Sequence, residues 1–449
     1  MKLSLRQSIT LFIIGAYLIL NWFFMLVRFP PVGSGVPFGE ILLIFWFCFL
    51  FKDLRWLPLF TNNIIFVPFL IWWIFGITKA LLAVPEYGMW ALRDANHVIE
   101  SLFVWVGFVF ASTPGAVDRL FVWLRWVLAL GVLYAFSYPW REPLAAIGPS
   151  IISASGGVIK LFSSPTYATS PILVIWEVTR RLIGGHRKAV LFSTFLLAYI
   201  IGIFQARTIY LQVIAVFLML SWHRPKAFKN MALAMGAGLF AIILFTQSGI
   251  EIKGRNGEII SMDYITSHFI AIAGVEHKGV QLGAKGVDLR IGWWKKIFDK
   301  LTSSKTNLFF GLGYGFPLVD FRGWDGVVVR EPHNSFISII GRLGVLGATL
   351  FIWIHVHMVR AWFRVYNLCG EKGYGLGRDR LFMFMVFFVM IWVYSIGEDA
   401  FEKPYATIPY YFFWGVVLHY RIHLKNYLLS KVQESRPRES INYANSYSS

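Results

Sequence analysis

The chain is poor in acid and nearly without cysteine. Only 24 of its 449 residues are Asp or Glu, against 42 Lys or Arg, and charged residues of both signs together make up 15%. With 57% hydrophobic residues and a mean hydropathy of +0.60, that shortage excludes a soluble core wrapped in a polar shell, so the solvent for most of this chain is lipid. Two cysteines, Cys48 in an apolar run and Cys369 in a polar connection, support neither a disulfide framework nor a metal cluster. The net charge of +18 would suggest nucleic acid in a soluble protein. Here the cations stand mostly in short connections between apolar runs, where they set topology, and no nucleic-acid partner is expected. Lys2 and Arg6 precede an apolar stretch without a small-residue cleavage site after it, so the first run reads as an uncleaved helix.

What is present is a succession of apolar runs of spanning length, at 8–27, 38–51, 61–84, 98–112, 118–139, 168–183, 189–205, 208–222, 230–247, 335–362, 381–396 and 407–423. The expected fold is an all-α polytopic membrane protein with about twelve transmembrane helices. Residues 1–247 carry the first nine, 248–334 form one large loop, 335–424 carry the last three, and 425–449 are a polar tail. Short-loop cations mark the cytoplasmic side: Lys52 and Arg55; Arg180, Arg181, Arg187 and Lys188; Arg224, Lys226 and Lys229; Arg360, Arg364, Lys372, Arg378 and Arg380. Both termini share that parity, and the large loop falls outside, where its own cations carry little topological weight.

That loop is not a plain linker, because it holds Trp293, Trp294, Phe298, Phe309 and Phe310. The stripe Ile291, Trp294, Phe298 and Leu301 predicts an amphipathic helix over 288–301, lying on the membrane surface or capping a cavity. Gly311, Gly313 and Gly315 then predict a tight turn.

Where the loop re-enters the membrane, Pro332 biases its predecessor away from helix and Asn334 or Ser335 can cap the helix that follows. His333 is thereby set at a helix mouth. An imidazole there can take a proton from a hydroxyl, and equally it can merely cap or anchor. Gly341, Gly344 and Gly347 recur every third residue, which would let another helix approach, and Arg342 is a cation inside an apolar run, functional or paired. Arg207, at the outer end of a span, and Arg290, at the start of the loop helix, could meet; a guanidinium pair suits a diphosphate, while either alone suits an ion pair or headgroup anchor.

The ordered set of Gln205-Ala206-Arg207, Asp288-Leu289-Arg290 with Trp293 and Trp294, Gly311-Leu312-Gly313-Tyr314-Gly315, His333-Asn334-Ser335-Phe336 and Gly341 through Gly347 resembles the bacterial O-antigen ligase and polysaccharide polymerase superfamily. The resemblance is strongest from Gln205 to Gly347; 253–285 has no counterpart in it. It implies a metal-independent, inverting membrane glycosyltransferase of the GT-C type with no cofactor. Such an enzyme acts at the periplasmic face of the bacterial inner membrane on an undecaprenyl-diphosphate-linked oligosaccharide donor and a glycan acceptor. It further implies His333 as the catalytic residue and Arg207 and Arg290 on the diphosphate. Asn334, Glu331, Arg342 and Glu398 are supporting candidates that the resemblance does not itself carry. Glu331, Arg330 and Arg342 are the weaker candidates, while Glu398 and Asp399 in the last outer loop could orient the histidine or bind sugar, with ordinary exposed charge as the alternative.

Within the family a polymerase joins repeat units of an exopolysaccharide or O-antigen, with chain-length regulators or export proteins as further partners, whereas a ligase moves the glycan onto lipid A core. Polymerisation is the expected role. A twelve-helix transporter or glycan flippase is the competing class, but such proteins usually show two similar halves, and no internal repeat is found here.

Overall fold

The computed structural model describes the chain apart from residues 1–2, 30–35, 62–64, 154–156, 163–168, 186, 205–206, 249–260, 262, 264–265, 267–280, 323–327, 372 and 436–449. The protein is an all-α bundle carrying three two-stranded hairpins among the described residues. Its apolar helices are α1 (Leu5–Met25), α2 (Phe38–Phe47), α3 (Phe66–Tyr87), α4 (Asn96–Ala111), α5 (Ala116–Phe136), α6 (Ser170–Gly184), α7 (Arg187–Tyr199, run on by a π-turn at Ile200–Phe204), α8 (Arg207–His223) and α9 (Pro225–Gln247). The loop supplies α10 (Gln281–Thr302) and α11 (Lys305–Phe310). After it come α12 (Ser335–Glu371), α13 (Gly375–Gly397) and α14 (Pro404–Ser435).

Among the described residues six of these helices, α1, α3, α5, α9, α12 and α13, are long and apolar enough to cross a membrane; α2, α4, α7 and α8 are apolar but shorter. Six of the expected twelve meet the full length among the described residues, and one of the others shows that an apolar run in sequence need not be one straight helix. The expected run 38–51 breaks after Phe47 into the short helices Leu50–Asp53, Leu54–Trp56 and Leu57–Thr61. Lys52, Asp53 and Arg55 make that end polar, and Arg6 holds Asp53 at 2.7 Å. The stretch 140–167, expected to be irregular, contains a helix at Arg141–Ile147 and a hairpin pairing Ser150–Ile152 with Val158–Lys160.

Packing is closest where side chains are smallest. Gly107 of α4 and Gly415 of α14 face one another's backbone so tightly that a Cβ on either would strike a carbonyl oxygen of the other helix. Buried Phe, Tyr and Trp from α13 and α14 fill the surrounding core, as in the stacked Phe388 and Trp414.

Polar contacts segregate to two ends of the bundle. At one end Arg6 pairs with Asp53, Arg224 with Asp379, and Arg380 with Asp118. At the other, Arg93 pairs with Glu331, Asp94 accepts from the Gly315 N–H, and His333 bonds Glu398. Each group joins loops that the alternation of short-loop cations assigns to one side.

Candidate active site

α12 starts at Ser335 because Asn334 caps it: the side-chain oxygen accepts from the Phe336 and Ile337 N–H groups at 3.0 and 3.1 Å. Of the two expected caps Asn334 takes that role. The Ser335 hydroxyl instead donates to the Glu398 carbonyl and accepts from the Phe401 N–H, both at 3.1 Å. The Asn334 amide also donates to the Ile396 carbonyl at 2.9 Å, and its backbone N–H donates to Asp399 Oδ1 at 3.0 Å. Together these bonds bolt the entry of α12 to the loop after α13. They hold His333 at φ 52°, a left-handed conformation that costs a residue with a side chain about 1–3 kcal/mol.

The imidazole Nδ1 lies 3.0 Å from Glu398 Oε2 and 3.8 Å from Asp399 Oδ2, and the Trp293 ring stacks beside it at 6.1 Å. Burial alone would lower the imidazole pKa. The Glu398 hydrogen bond and the Asp399 and Glu398 charges outweigh burial and the opposing Arg290, so the pKa is raised from its usual 6.5. With Nδ1 donating to Glu398, Nε2 carries the lone pair and has no hydrogen-bond partner among the described residues.

Arg290 reaches the same place from α10: one guanidinium nitrogen donates to the Gly397 carbonyl at 3.0 Å and another lies 3.8 Å from Glu398 Oε1. Arg207 opens α8, close enough to Arg290 for their like charges to interact, and its neighbour Thr208 abuts Gly397. Gln205 and Ala206 lie outside the described residues. The structure thus brings His333, Arg290, Glu398 and Arg207 to one mouth.

α10 caps that mouth, although not on the expected stripe. Ile297 and Leu301 are fully buried against Leu318 and Val319, and Trp294 donates its indole N–H to the Pro332 carbonyl at 2.9 Å. Ile291 and Phe298 face outward, 51% and 40% exposed. A period of 3.6 residues admits both stripes, since Trp294 and Leu301 belong to each.

Arg342 is wholly buried between Asp94 at 2.7 Å and Glu402 at 2.9 Å, and also donates to the Phe316 carbonyl. Glu331 is clamped by Arg93 at 2.9 Å and Lys403 at 3.3 Å. Burial would raise its pKa, but Lys403, Arg93 and Arg342 hold it well below the usual carboxylate range. Arg330 donates to the Gly315 carbonyl. These three residues brace the loops around the mouth. Sequence reasoning missed Asp94, Arg93, Glu402 and Lys403. A cation within an apolar run requires carboxylate partners, and Asp94 and Glu402 stand beside span ends.

Gly341 and Gly344 receive loop, not a neighbouring helix, while a Cβ on Gly347 would meet Leu343 of α12 itself. α12 breaks at Gly344, φ 67°, and the Gly341 and Arg342 carbonyls before the break accept from the Leu312 and Gly313 N–H groups at 2.8 and 3.1 Å. A Cβ on Gly311 would meet the Arg342 and Gly344 backbone, and one on Gly341 would meet Leu318. The expected turn at Gly311, Gly313 and Gly315 is real, with all three at positive φ, and what it approaches is α12.

Among the described residues no group of three or more His, Cys, Asp or Glu could hold a metal ion. The surroundings of His333 instead combine a base, a carboxylate behind it and two fixed cations, a set suited to deprotonating a hydroxyl beside a developing anion. Residues 192–352 match the family model of O-Antigen ligase. The matched segment runs from within α7 to within α12, so Arg207, Arg290, His333 and Arg342 fall inside it, while Glu398 and Asp399 lie beyond. The resemblance to the O-antigen ligase and polysaccharide polymerase superfamily is supported over that stretch, and with the apolar helices it indicates a multi-pass membrane enzyme of ligase or polymerase type. No curated protein matches the chain.

Proposed function

We propose that the chain is an inner-membrane glycosyltransferase that polymerises undecaprenyl-diphosphate-linked repeat units of an exported polysaccharide at the periplasmic face. The observation that carries this reading is the His333–Glu398 bond, 3.0 Å long, standing beside Arg290 in a chain whose O-antigen ligase segment contains both His333 and Arg290. The acceptor hydroxyl gives its proton to Nε2 of His333 as its oxygen bonds the donor's anomeric carbon. The bond from that carbon to the diphosphate breaks, and the departing charge rests between Arg207 and Arg290. Attack from the side opposite the leaving group inverts the anomeric centre. Neutralising a diphosphate already makes it a good leaving group, so two arginines supply what a metal would otherwise provide. Twelve spans, an external large loop and cytoplasmic termini belong to the same proposal.

The test is glycan size in cells carrying His333→Ala, beside wild type and a deletion strain, at matched membrane levels of the protein. Long polymer is expected to disappear while single repeat units remain, with turnover down roughly 100- to 10,000-fold, the usual worth of a general base. The matched family's description as O-Antigen ligase favours a second reading, transfer of finished glycan to lipid A core. Long glycan accumulating on the lipid carrier would establish that reading in place of polymerisation. Normal glycan in both mutant and deletion strains would exclude both.

A further inference from the structure

A cavity of about 430 Å³ lies at the end of the bundle opposite His333, between α5, α6, α7 and α13. Along α13 its Asp379 stands 18 residues before Gly397, about 27 Å at 1.5 Å per residue, so it shares nothing with the histidine mouth. Five cations line it: Arg125, Arg180, Arg181, Lys188 and Arg380. Nearby carboxylates do not balance them. Glu177 alone serves both Arg180 and Arg181, Asp118 takes Arg380, and Asp379 is engaged by Arg224 and His223 from outside the cavity. Arg125 and Lys188 have no ion-pair partner among the described residues.

The place of Arg125 says what kind of anion would suit the cavity. It sits nine residues into α5, about 13 Å from the helix start at 1.5 Å per residue, at the border between the cavity and a face that presents Val122, Trp126, Leu130 and Leu133 outward. A cation on a lipid-facing surface at that depth reaches for a headgroup. On α7, Leu191 and Phe195 are likewise exposed, and Phe195 meets Phe136 of α5 at 5.4 Å. The two apolar stripes therefore run from the cavity and converge, as a track for hydrocarbon. The cavity's inner wall adds Phe121 and Met383.

We propose that this cavity binds the phosphate headgroup of an anionic membrane phospholipid, whose acyl chains lie along the exposed faces of α5 and α7. Basic pockets between spanning helices recognise headgroups in this way. The site is independent of the glycan-transfer reading and stands whether or not that reading does.

Native mass spectrometry of the delipidated full chain, titrated with phosphatidylglycerol or phosphatidylcholine, tests it against Arg125→Gln/Lys188→Gln. Both residues are exposed, and an unchanged unfolding midpoint would verify that the variant folds; single Lys188→Gln serves as the milder second variant. Wild type should retain phosphatidylglycerol over phosphatidylcholine by about tenfold or more, and the double variant should lose that preference. The single variant should show an intermediate loss. Equal retention by wild type and variants would overturn the site. Displacement of phosphatidylglycerol by millimolar inorganic phosphate would overturn the lipid assignment, leaving a site for free phosphate.

Discussion

Glu398 holds the ring of His333 and Asp399 holds the backbone just after it, so two adjacent carboxylates perform separable tasks. The ring task has a sign that can be measured. A base must be neutral to act, so activity should rise with pH through the raised imidazole pKa, placing the acid limb of kcat/KM above 6.5. Glu398→Gln removes the charge that raises it; the acid limb should then move to lower pH, with the plateau falling about tenfold as the ring loses its anchor. A pH profile of polymer formation in membranes gives the answer, and an acid limb that stays in place would remove Glu398 as the partner. His333 was legible from the sequence because a proline and a cap fix its place at a helix mouth. Glu398 was legible only as a residue that could orient it: with 65 residues between the two the sequence does not choose that over exposed charge, since charge in an outer loop looks the same whether it points at solvent or at an imidazole.

The break in α12 is the element on which the site depends. Gly344 interrupts the helical ladder just where the glycine turn of the large loop delivers two N–H groups, and Lys79 of α3 also donates to the Arg342 carbonyl at 3.2 Å. Freed carbonyls are thus satisfied by the very loop that leads to His333. Gly344→Ala should fail on both counts, adding about 1–3 kcal/mol of backbone strain and driving a Cβ into Phe309 and Gly311. The expected outcome is a clear drop in unfolding midpoint in detergent and in the amount of protein recovered from membranes. Gly236→Ala, in the helical body of α9 with nothing within 4 Å of a Cβ, should be neutral or slightly stabilising and controls for the substitution itself. Equal behaviour of the two variants would mean the break is not needed. Sequence reasoning recognised the glycines as a close approach and named the wrong approaching part. Spacing records that room is required, without recording which segment fills it. The loop helix shows the same limit: its existence and its end followed from periodicity, while its earlier start at Gln281 did not, and its buried face, led by Ile297, was decided by what it covers.

At the scale of the whole molecule, apolar runs counted from sequence and helices long enough to cross a bilayer answer different questions. α13 spans 23 residues, about 33 Å from end to end at 1.5 Å per residue, which matches a hydrocarbon core of about 30 Å. α2, with ten residues, reaches about half that depth. Short and kinked helices of this kind survive because neighbouring helices, not lipid, take up their free backbone groups. What the cations did make legible is which loops belong together, since among the described residues the ion pairs of one end and those of the histidine mouth at the other each join loops of one parity. Absolute orientation is a separate matter, and it follows if the end rich in short-loop cations is cytoplasmic. In a background with Cys48 and Cys369 replaced by alanine, Lys305→Cys in the large loop should react with a membrane-impermeant maleimide in intact spheroplasts. Lys226→Cys, in the first turn of α9 and likewise exposed, should react only after permeabilisation. The reverse pattern would place His333 and its arginines on the cytoplasmic face, where a periplasmic glycan could not reach them, and the proposed polymerisation would fall with it.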